Sequence, residues 1–123
     1  MPRPTLIVAE PEPSEALSIR KLVLETAKFN VLKAHSTQEA IDIFKQFPVI
    51  STAVLVGGDH IDCETVASTI KHARKVPVIY LHAHIGGRCP NADHALSSHE
   101  PEKLVDLLRS LLGDPRKLEN EAA

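Results

Sequence analysis

Several polar side chains that could bind a metal or transfer protons lie beside short apolar runs of the chain. His82 and His84 end one such run, Asp59 follows another, and Cys89 lies in a glycine-bearing segment nearby. Imidazole, thiolate and carboxylate together suit Zn²⁺ better than Mg²⁺. Their spacing matches no established ligand template, so we favour solvated or structural roles and keep a metal site as the alternative.

Two glycine pairs accompany these polar residues. Gly57-Gly58 ends one apolar run, and Gly86-Gly87, followed by Arg88, lies after another. Free backbone N–H groups there could form an anion-binding nest, whereas glycine pairs are more often turns that need positive φ. We favour turns, because neither pair belongs to a phosphate-binding loop or a dinucleotide motif.

The apolar runs themselves predict five strands. Thr5–Ala9 and residues 52–56 are uninterrupted runs, which are typical of strands buried on both faces of a parallel sheet. The remaining strands are predicted over residues 30–35, 77–81 and, with a weaker pattern, His94–Ser97.

Apolar residues at helical spacing fill the segments between the strands. They predict a first helix over residues 14–28 and a third over about 62–73. Ser36 and Glu39 match a capping box, so the second helix begins near Thr37. The residues predicted to face the core from the second and third helices are Ala40, Ile41, Phe44, Phe47, Val66, Ala67 and Ile70.

Pro101 suits the first position of a last helix, and Gly113 suits its end. The apolar stripe of this helix is Leu104, Leu107, Leu108 and Leu111. Strands that alternate with helices predict a doubly wound α/β fold with a parallel sheet, whose ligands lie outside the carboxyl ends of the strands. Residues 1–113 are predicted to form one domain, and residues 114–123 a polar tail.

Composition restricts the function classes. The 123 residues are 43% hydrophobic, enough for one core, and the formal net charge of -2 gives no basic excess for nucleic acid. No apolar run is long enough to span a membrane, and the first residues do not resemble a signal peptide, so we expect a cytoplasmic protein. Cys63 and Cys89 have no CxxC spacing and are predicted to be reduced thiols.

Four segments resemble the receiver family of two-component signalling, and the similarity extends from about Thr5 to Leu112. The segments are LIVAEPEP (6–13), PVIYLHA (77–83), NADHAL (91–96) and EPEKL (100–104). The resemblance implies a flavodoxin-like (βα)5 fold with strand order 2-1-3-4-5. It also implies phosphoryl transfer to an aspartate at the end of the third strand, assisted by Mg²⁺.

The positions that carry this chemistry in the family are altered here. Gly57 stands at the position of the phosphoacceptor, and Pro11 at that of the direct metal ligand, whereas Glu10 matches the other acid. His82 stands at the position of the hydroxyl residue that hydrogen-bonds the phosphoryl group and moves on activation. Ser97 stands at the position of the lysine that neutralises the phosphate. The resemblance therefore implies a degenerate phosphorylation pocket, with no cofactor and no enzymatic activity.

The segment after the fourth strand is short. Only residues 84–90 separate Ala83 from Asn91, and they include Gly86, Gly87 and Pro90. The fourth helix of the family is therefore expected to be shortened or missing.

A shortened helix would uncover apolar side chains near Tyr80, Ile85 and Leu96. A parallel sheet is stable when both faces are covered, so we expect a homodimer or a protein partner to dock there.

These observations favour a phosphorylation-independent protein-interaction module in two-component-type signalling. Asp59 lies two residues beyond Gly57, and we interpret it as a solvated loop residue rather than a displaced phosphoacceptor. The alternative is a sensor of a metal or small ligand that uses the pocket at the carboxyl edge of the sheet.

Overall fold

The computed structural model describes residues 4–10, 19–57, 61–82, 88–97 and 100–113. Within these residues the chain forms five strands and four helices. In chain order they are β1 (Thr5–Ala9), α1 (Ile19–Thr26), β2 (Asn30–Ala34), α2 (Thr37–Gln46), β3 (Ile50–Val56), α3 (Cys63–Ala73), β4 (Val78–His82), β5 (His94–Ser97) and α4 (Pro101–Leu112).

The five strands form one parallel sheet in the order β2-β1-β3-β4-β5, which confirms the predicted topology. Helices α2 and α3 pack on one face of this sheet, and α1 and α4 pack on the other. Because all strands run in the same direction, their carboxyl ends meet at one edge.

The uninterrupted apolar runs are buried on both faces, as predicted. In β1, Ile7 and Ala9 belong to the core beneath α2 and α3, whereas Leu6 and Val8 belong to the core beneath α1 and α4. All four side chains are fully buried. At about 25 cal/mol per Å² of apolar surface, this two-sided burial is the main stabilising contribution of the sheet.

The starts of α2 and α3 are set by side-chain caps. The Ser36 hydroxyl accepts a hydrogen bond from the Glu39 N–H at 3.1 Å, which confirms the predicted helix start. Asp62 caps α3 by accepting from the N–H of Thr65 at 3.2 Å and from its hydroxyl at 2.7 Å. These hydrogen bonds hold the pKa of Asp62 below its ordinary value.

The prediction that Phe47 is buried on α2 is wrong. The helix ends at Gln46, and Phe47 is its C-cap with an exposed fraction of 40%. The Arg74 guanidinium lies 4.2 Å from the centre of the Phe44 ring and donates to the carbonyls of Phe44 and Phe47. A side chain from the end of α3 thus satisfies the last carbonyls of α2, and the backbone turns away from the core there.

The last helix matches its prediction at both ends. Pro101 occupies the first turn, and Gly113 caps the end with φ of 86°. Leu104 and Leu108 are buried, but Leu111 is 36% exposed because it lies in the final turn, beyond the edge of the core.

The other element ends differ from the predictions by one or two residues. β2 ends at Ala34, β3 begins at Ile50, and α1 ends at Thr26, while the predicted start of α1 over residues 14–18 lies outside the described residues. None of the described helices has the length and apolar character needed to cross a membrane.

The connection between β4 and β5 contains no helix in its described part, residues 88–93. This confirms the shortened or missing fourth helix for those residues, whereas residues 83–87 lie outside the described part. Cys89 is buried there, and the Ala92 N–H donates to its carbonyl at 2.9 Å, which closes a tight turn over the sheet.

The predicted exposure beside this connection is wrong for Tyr80, which is only 7% exposed. Cys89 and Ala92 pack in the same cluster as Tyr80 and contribute to its burial. Ala95, the register partner of Tyr80 on β5, is exposed, and Leu96 is half-buried in the core of the opposite face. Ile85 lies outside the described residues.

Asp93 connects the amino ends of β4 and β5 through hydrogen bonds. Its carboxylate accepts from the Lys71 ammonium at 2.7 Å and from the Val78 N–H at 2.8 Å, and its own N–H donates to the Val78 carbonyl at 2.8 Å. Burial alone would raise the pKa of Asp93, but these hydrogen bonds and the Lys71 charge outweigh it and lower the pKa below 3.8.

We expect Asp93→Asn to lower the free energy of unfolding by about 1 kcal/mol at neutral pH. Loss of a fully buried charged hydrogen bond would cost more, but the Asp93 side chain is 37% exposed. A depressed carboxyl pKa stabilises the fold above the unfolded pKa, so the difference from wild type should shrink as pH falls below about 4. Urea titrations at several pH values measure it. Asp106→Asn, at a 78% exposed site, is the control, and an equal effect there would contradict the assignment.

Candidate functional site at the carboxyl edge of the sheet

Four of the predicted site residues lie at the same edge of the sheet. Glu10 follows β1, Gly57 follows β3, and His82 and Ser97 are the last residues of β4 and β5. The Gly57 N–H donates to the Leu81 carbonyl at 2.9 Å, so the β3–β4 ladder continues to this edge.

The space where a side chain at position 57 would begin is filled by Tyr80. A Cβ at Gly57 would lie 2.6 Å from the Tyr80 hydroxyl oxygen and 3.3 Å from the ring carbon that carries it. Both distances are shorter than an ordinary van der Waals contact, so a side chain at position 57 would force the phenol to shift. Burial raises the pKa of Tyr80, and the nearby Cys63 and Cys89 raise it further, so the phenol is neutral at physiological pH.

This contact corrects the explanation for Gly57. We predicted a glycine turn that needs positive φ, but the backbone of Gly57 does not adopt the left-handed region. Glycine is needed there because the Tyr80 hydroxyl approaches its backbone closely. Gly58, the other member of the pair, lies outside the described residues, as do Gly86 and Gly87.

The carboxylate of Glu10 is committed to an ion pair. Glu10 is 5% exposed, and one of its oxygens lies 2.6 Å from the Lys33 ammonium of β2. Since β2 lies on the side of β1 remote from β3, this oxygen is bound by the neighbouring strand that is farther from Gly57. The Glu10 N–H also donates to the Ala34 carbonyl at 3.0 Å, which fixes the backbone after β1.

His82 and Ser97 are direct register partners across β4 and β5. Both are half-buried, so a histidine and a hydroxyl side chain stand beside each other at the edge next to Gly57. Such a pair can exchange hydrogen bonds with a bound polar group, but it offers no permanent charge to hold a phosphate.

The remaining predicted site residues, Pro11, Asp59 and His84, lie outside the described residues. Among the residues that the structure does describe, no three His, Cys, Asp or Glu side chains are grouped closely enough to bind a metal ion. The alternative metal site built on His82, His84, Asp59 and Cys89 therefore stays a prediction.

Two thiols pack in the core cluster that contains Tyr80. Cys63, the first residue of α3, and Cys89 are both free, as predicted. The Cys63 thiol also donates to the Arg88 carbonyl at 3.7 Å. Burial raises the pKa of both thiols, so both are protonated at neutral pH.

Tyr80, Lys33 and Cys63 were not among the predicted site residues, and Cys89 was predicted only as a possible metal ligand. Strand alternation from His82 places Tyr80 on the same face of β4, which was the available signal for its role. The start of α3 and the β4–β5 connection are far apart in sequence, and only the tertiary fold brings Cys63 and Cys89 together.

Comparisons with known proteins support the fold. No protein-family model matches the chain, and no curated protein matches it. Among solved structures, it resembles the receiver domain of a sensor histidine kinase from Pseudomonas aeruginosa, which was solved with magnesium in its active-site cleft. The TM-score is 0.78 at 16% identity, and the match covers 90% of this chain and 98% of that domain.

Two further structures give the same result. The response regulator TrrA from Thermotoga maritima has a TM-score of 0.74 at 23% identity and covers 89% of this chain and 99% of its own. A receiver domain from Clostridium thermocellum has a TM-score of 0.73 at 21% identity, and the match covers 94% of this chain and 98% of that domain. The chain therefore has the flavodoxin-like fold of receiver domains.

We expect Gly57→Ala to lower the free energy of unfolding by roughly 2 kcal/mol, because its methyl group would overlap the Tyr80 hydroxyl. In the Tyr80→Phe background the same substitution should cost about half as much, because the nearest overlapping atom is gone. Denaturant unfolding of the four proteins in this double-mutant cycle measures the coupling. Equal costs in both backgrounds would show that Tyr80 does not fill the site.

We expect Lys33→Met to lower the free energy of unfolding by about 2–3 kcal/mol, since it leaves the Glu10 carboxylate buried without its cation. The double variant Glu10→Gln with Lys33→Met should recover part of this loss. Lys103→Met, which breaks an exposed pair with Glu100 at the same 2.6 Å separation, is the matched control and should have little effect. A Lys33→Met protein as stable as wild type would contradict the buried ion pair.

Proposed function

We propose that this chain is an atypical receiver domain of two-component-type signal transduction that acts by binding a protein partner, without aspartyl phosphate. The observation that carries the proposal is the Tyr80 hydroxyl, 2.6 Å from the Cβ position of Gly57. An acyl phosphate needs a carboxylate at this point, and here the backbone has no side chain while a phenol occupies the adjacent space.

The charges at the edge support the same proposal. Phosphoryl transfer needs a hard cation held by several oxygens and a positive group that neutralises the developing charge. Glu10 is paired with Lys33, Gly57 offers no side-chain ligand, and Pro11 has no side-chain oxygen. The residues at these positions do not fit a Mg²⁺ site, and Ser97 supplies no charge.

The proposed partner surface is the outer side of β5 and the β4–β5 connection. Ala95 is exposed at the edge of the sheet, where no described helix covers it. An uncovered strand edge favours docking of another protein or of a second copy of the chain. The net charge of -2 favours a protein partner over nucleic acid.

The proposal includes three further points that follow from the sequence. Residues 1–113 act as the receiver-like unit, and residues 114–123 form a polar tail. The protein works in the cytoplasm. It needs no cofactor and is not an enzyme.

Incubation with acetyl phosphate and Mg²⁺, followed by intact-mass measurement, tests the proposal. We expect no stable mass gain of one phosphate, because no carboxylate stands at position 57. We also expect millimolar Mg²⁺ to leave the thermal midpoint unchanged, because a cation that binds only the folded state would raise it. A receiver domain with an intact acceptor aspartate is the positive control.

A phosphate adduct that maps to Asp59 or any other carboxylate would overturn the proposal. A clear rise in the midpoint with Mg²⁺ would also count against it. If Zn²⁺ alone raised the midpoint, and His82→Ala abolished the rise, the metal-sensing alternative would replace it.

A further inference from the structure

We propose that Cys63 and Cys89 form a dithiol site that a small disulfide oxidises reversibly to an intramolecular disulfide. The two residues come from different parts of the chain, one from the first turn of α3 and the other from the described part of the connection between β4 and β5. Cys63 packs against the core cluster that contains Cys89, and its thiol contacts the residue that precedes Cys89.

The geometry separates the roles of the two thiols. Cys63 is half-buried and therefore accessible to a reagent, whereas Cys89 is only 9% exposed. The Cys63 thiol donates to the Arg88 carbonyl at 3.7 Å, so its sulfur lies beside the backbone that leads directly to Cys89. Cys63 is thus the attacking thiol, and Cys89 is the resolving thiol.

The reaction balances with a disulfide reagent such as oxidised glutathione. Cys63 loses its proton and its sulfur attacks the reagent, whose S–S bond breaks and releases one glutathione. Cys89 then loses its proton and attacks the Cys63 sulfur, which releases the second glutathione. The two cysteines give up two electrons and two protons, and the reagent is reduced to two thiols.

The local electrostatics make this reaction slow unless it is catalysed. Burial raises the pKa of both thiols, and the Glu64 carboxylate raises it further, so little thiolate is present at neutral pH. A structural consequence follows from the position of the pair. The disulfide would tie the β4–β5 connection to α3 directly over Tyr80, whose hydroxyl fills the space at Gly57.

The test uses the full chain with excess oxidised glutathione for several hours, then alkylation and intact-mass measurement. We expect both thiols to be lost together, a monomer lighter by two hydrogens, and recovery with dithiothreitol. The disulfide should raise the thermal midpoint by roughly 5–10 °C, since it closes a loop between residues 63 and 89 in the unfolded chain.

Cys63→Ser and Cys89→Ser are matched controls that keep one thiol each. Cys89→Ser should accumulate glutathione on Cys63, because no resolving thiol remains, and Cys63→Ser should react more slowly because Cys89 is buried. Peptide mapping of the wild-type protein gives an answer that does not depend on the stability of either variant.

Three results would overturn the proposal. In the first, the wild-type chain retains glutathione on one cysteine. In the second, it forms disulfides only between chains. In the third, both of its thiols stay reduced under conditions that modify the Cys89→Ser variant. None of these outcomes bears on whether the protein is phosphorylated.

Discussion

The close approach of the Tyr80 hydroxyl to the Gly57 backbone determines what the carboxyl edge of this sheet can do. Parallel pairing of β3 and β4 fixes the two residues relative to each other, since the Gly57 N–H still bonds to the Leu81 carbonyl. The pleat places Tyr80 on the face covered by α3 and the β4–β5 connection. A side chain at position 57 would therefore overlap the phenol unless the phenol shifted.

The rest of the edge is consistent with this packing. The charged group after β1 is held by Lys33 on the neighbouring strand, and the side chains of Cys63 and Cys89 pack in the cluster that contains Tyr80. Two protonated thiols and a neutral phenol give this largely buried cluster no charge. It therefore offers no cation to the three oxygens of a phosphoryl group.

Sequence patterns predicted most of the fold because the signals were local. Two-sided apolar runs located the central strands, and Ser36 and Pro101 located helix starts. The failures have tertiary causes. Phe47 is exposed because Arg74 from another helix caps the end of α2, and Tyr80 is covered by a connection whose conformation no periodicity predicts.

The candidate site was predictable as a set of positions but not as a set of contacts. Glu10, Gly57, His82 and Ser97 do share one edge, since parallel strands carry them there. The pairing of Glu10 with Lys33 and the contact between Cys63 and Cys89 depend on side-chain directions across separate elements. The reason for glycine at position 57 is likewise a neighbour 23 residues away, and not a local turn.

The most direct test of the central claim is a titration of the isotope-labelled protein with beryllofluoride, a phosphoryl mimic, in the presence of Mg²⁺, followed by NMR of the backbone amides. A closed edge predicts no shift of the Gly57 and His82 amide resonances at saturating reagent. Saturable shifts at these residues would show that the edge binds a phosphoryl group and would contradict the account.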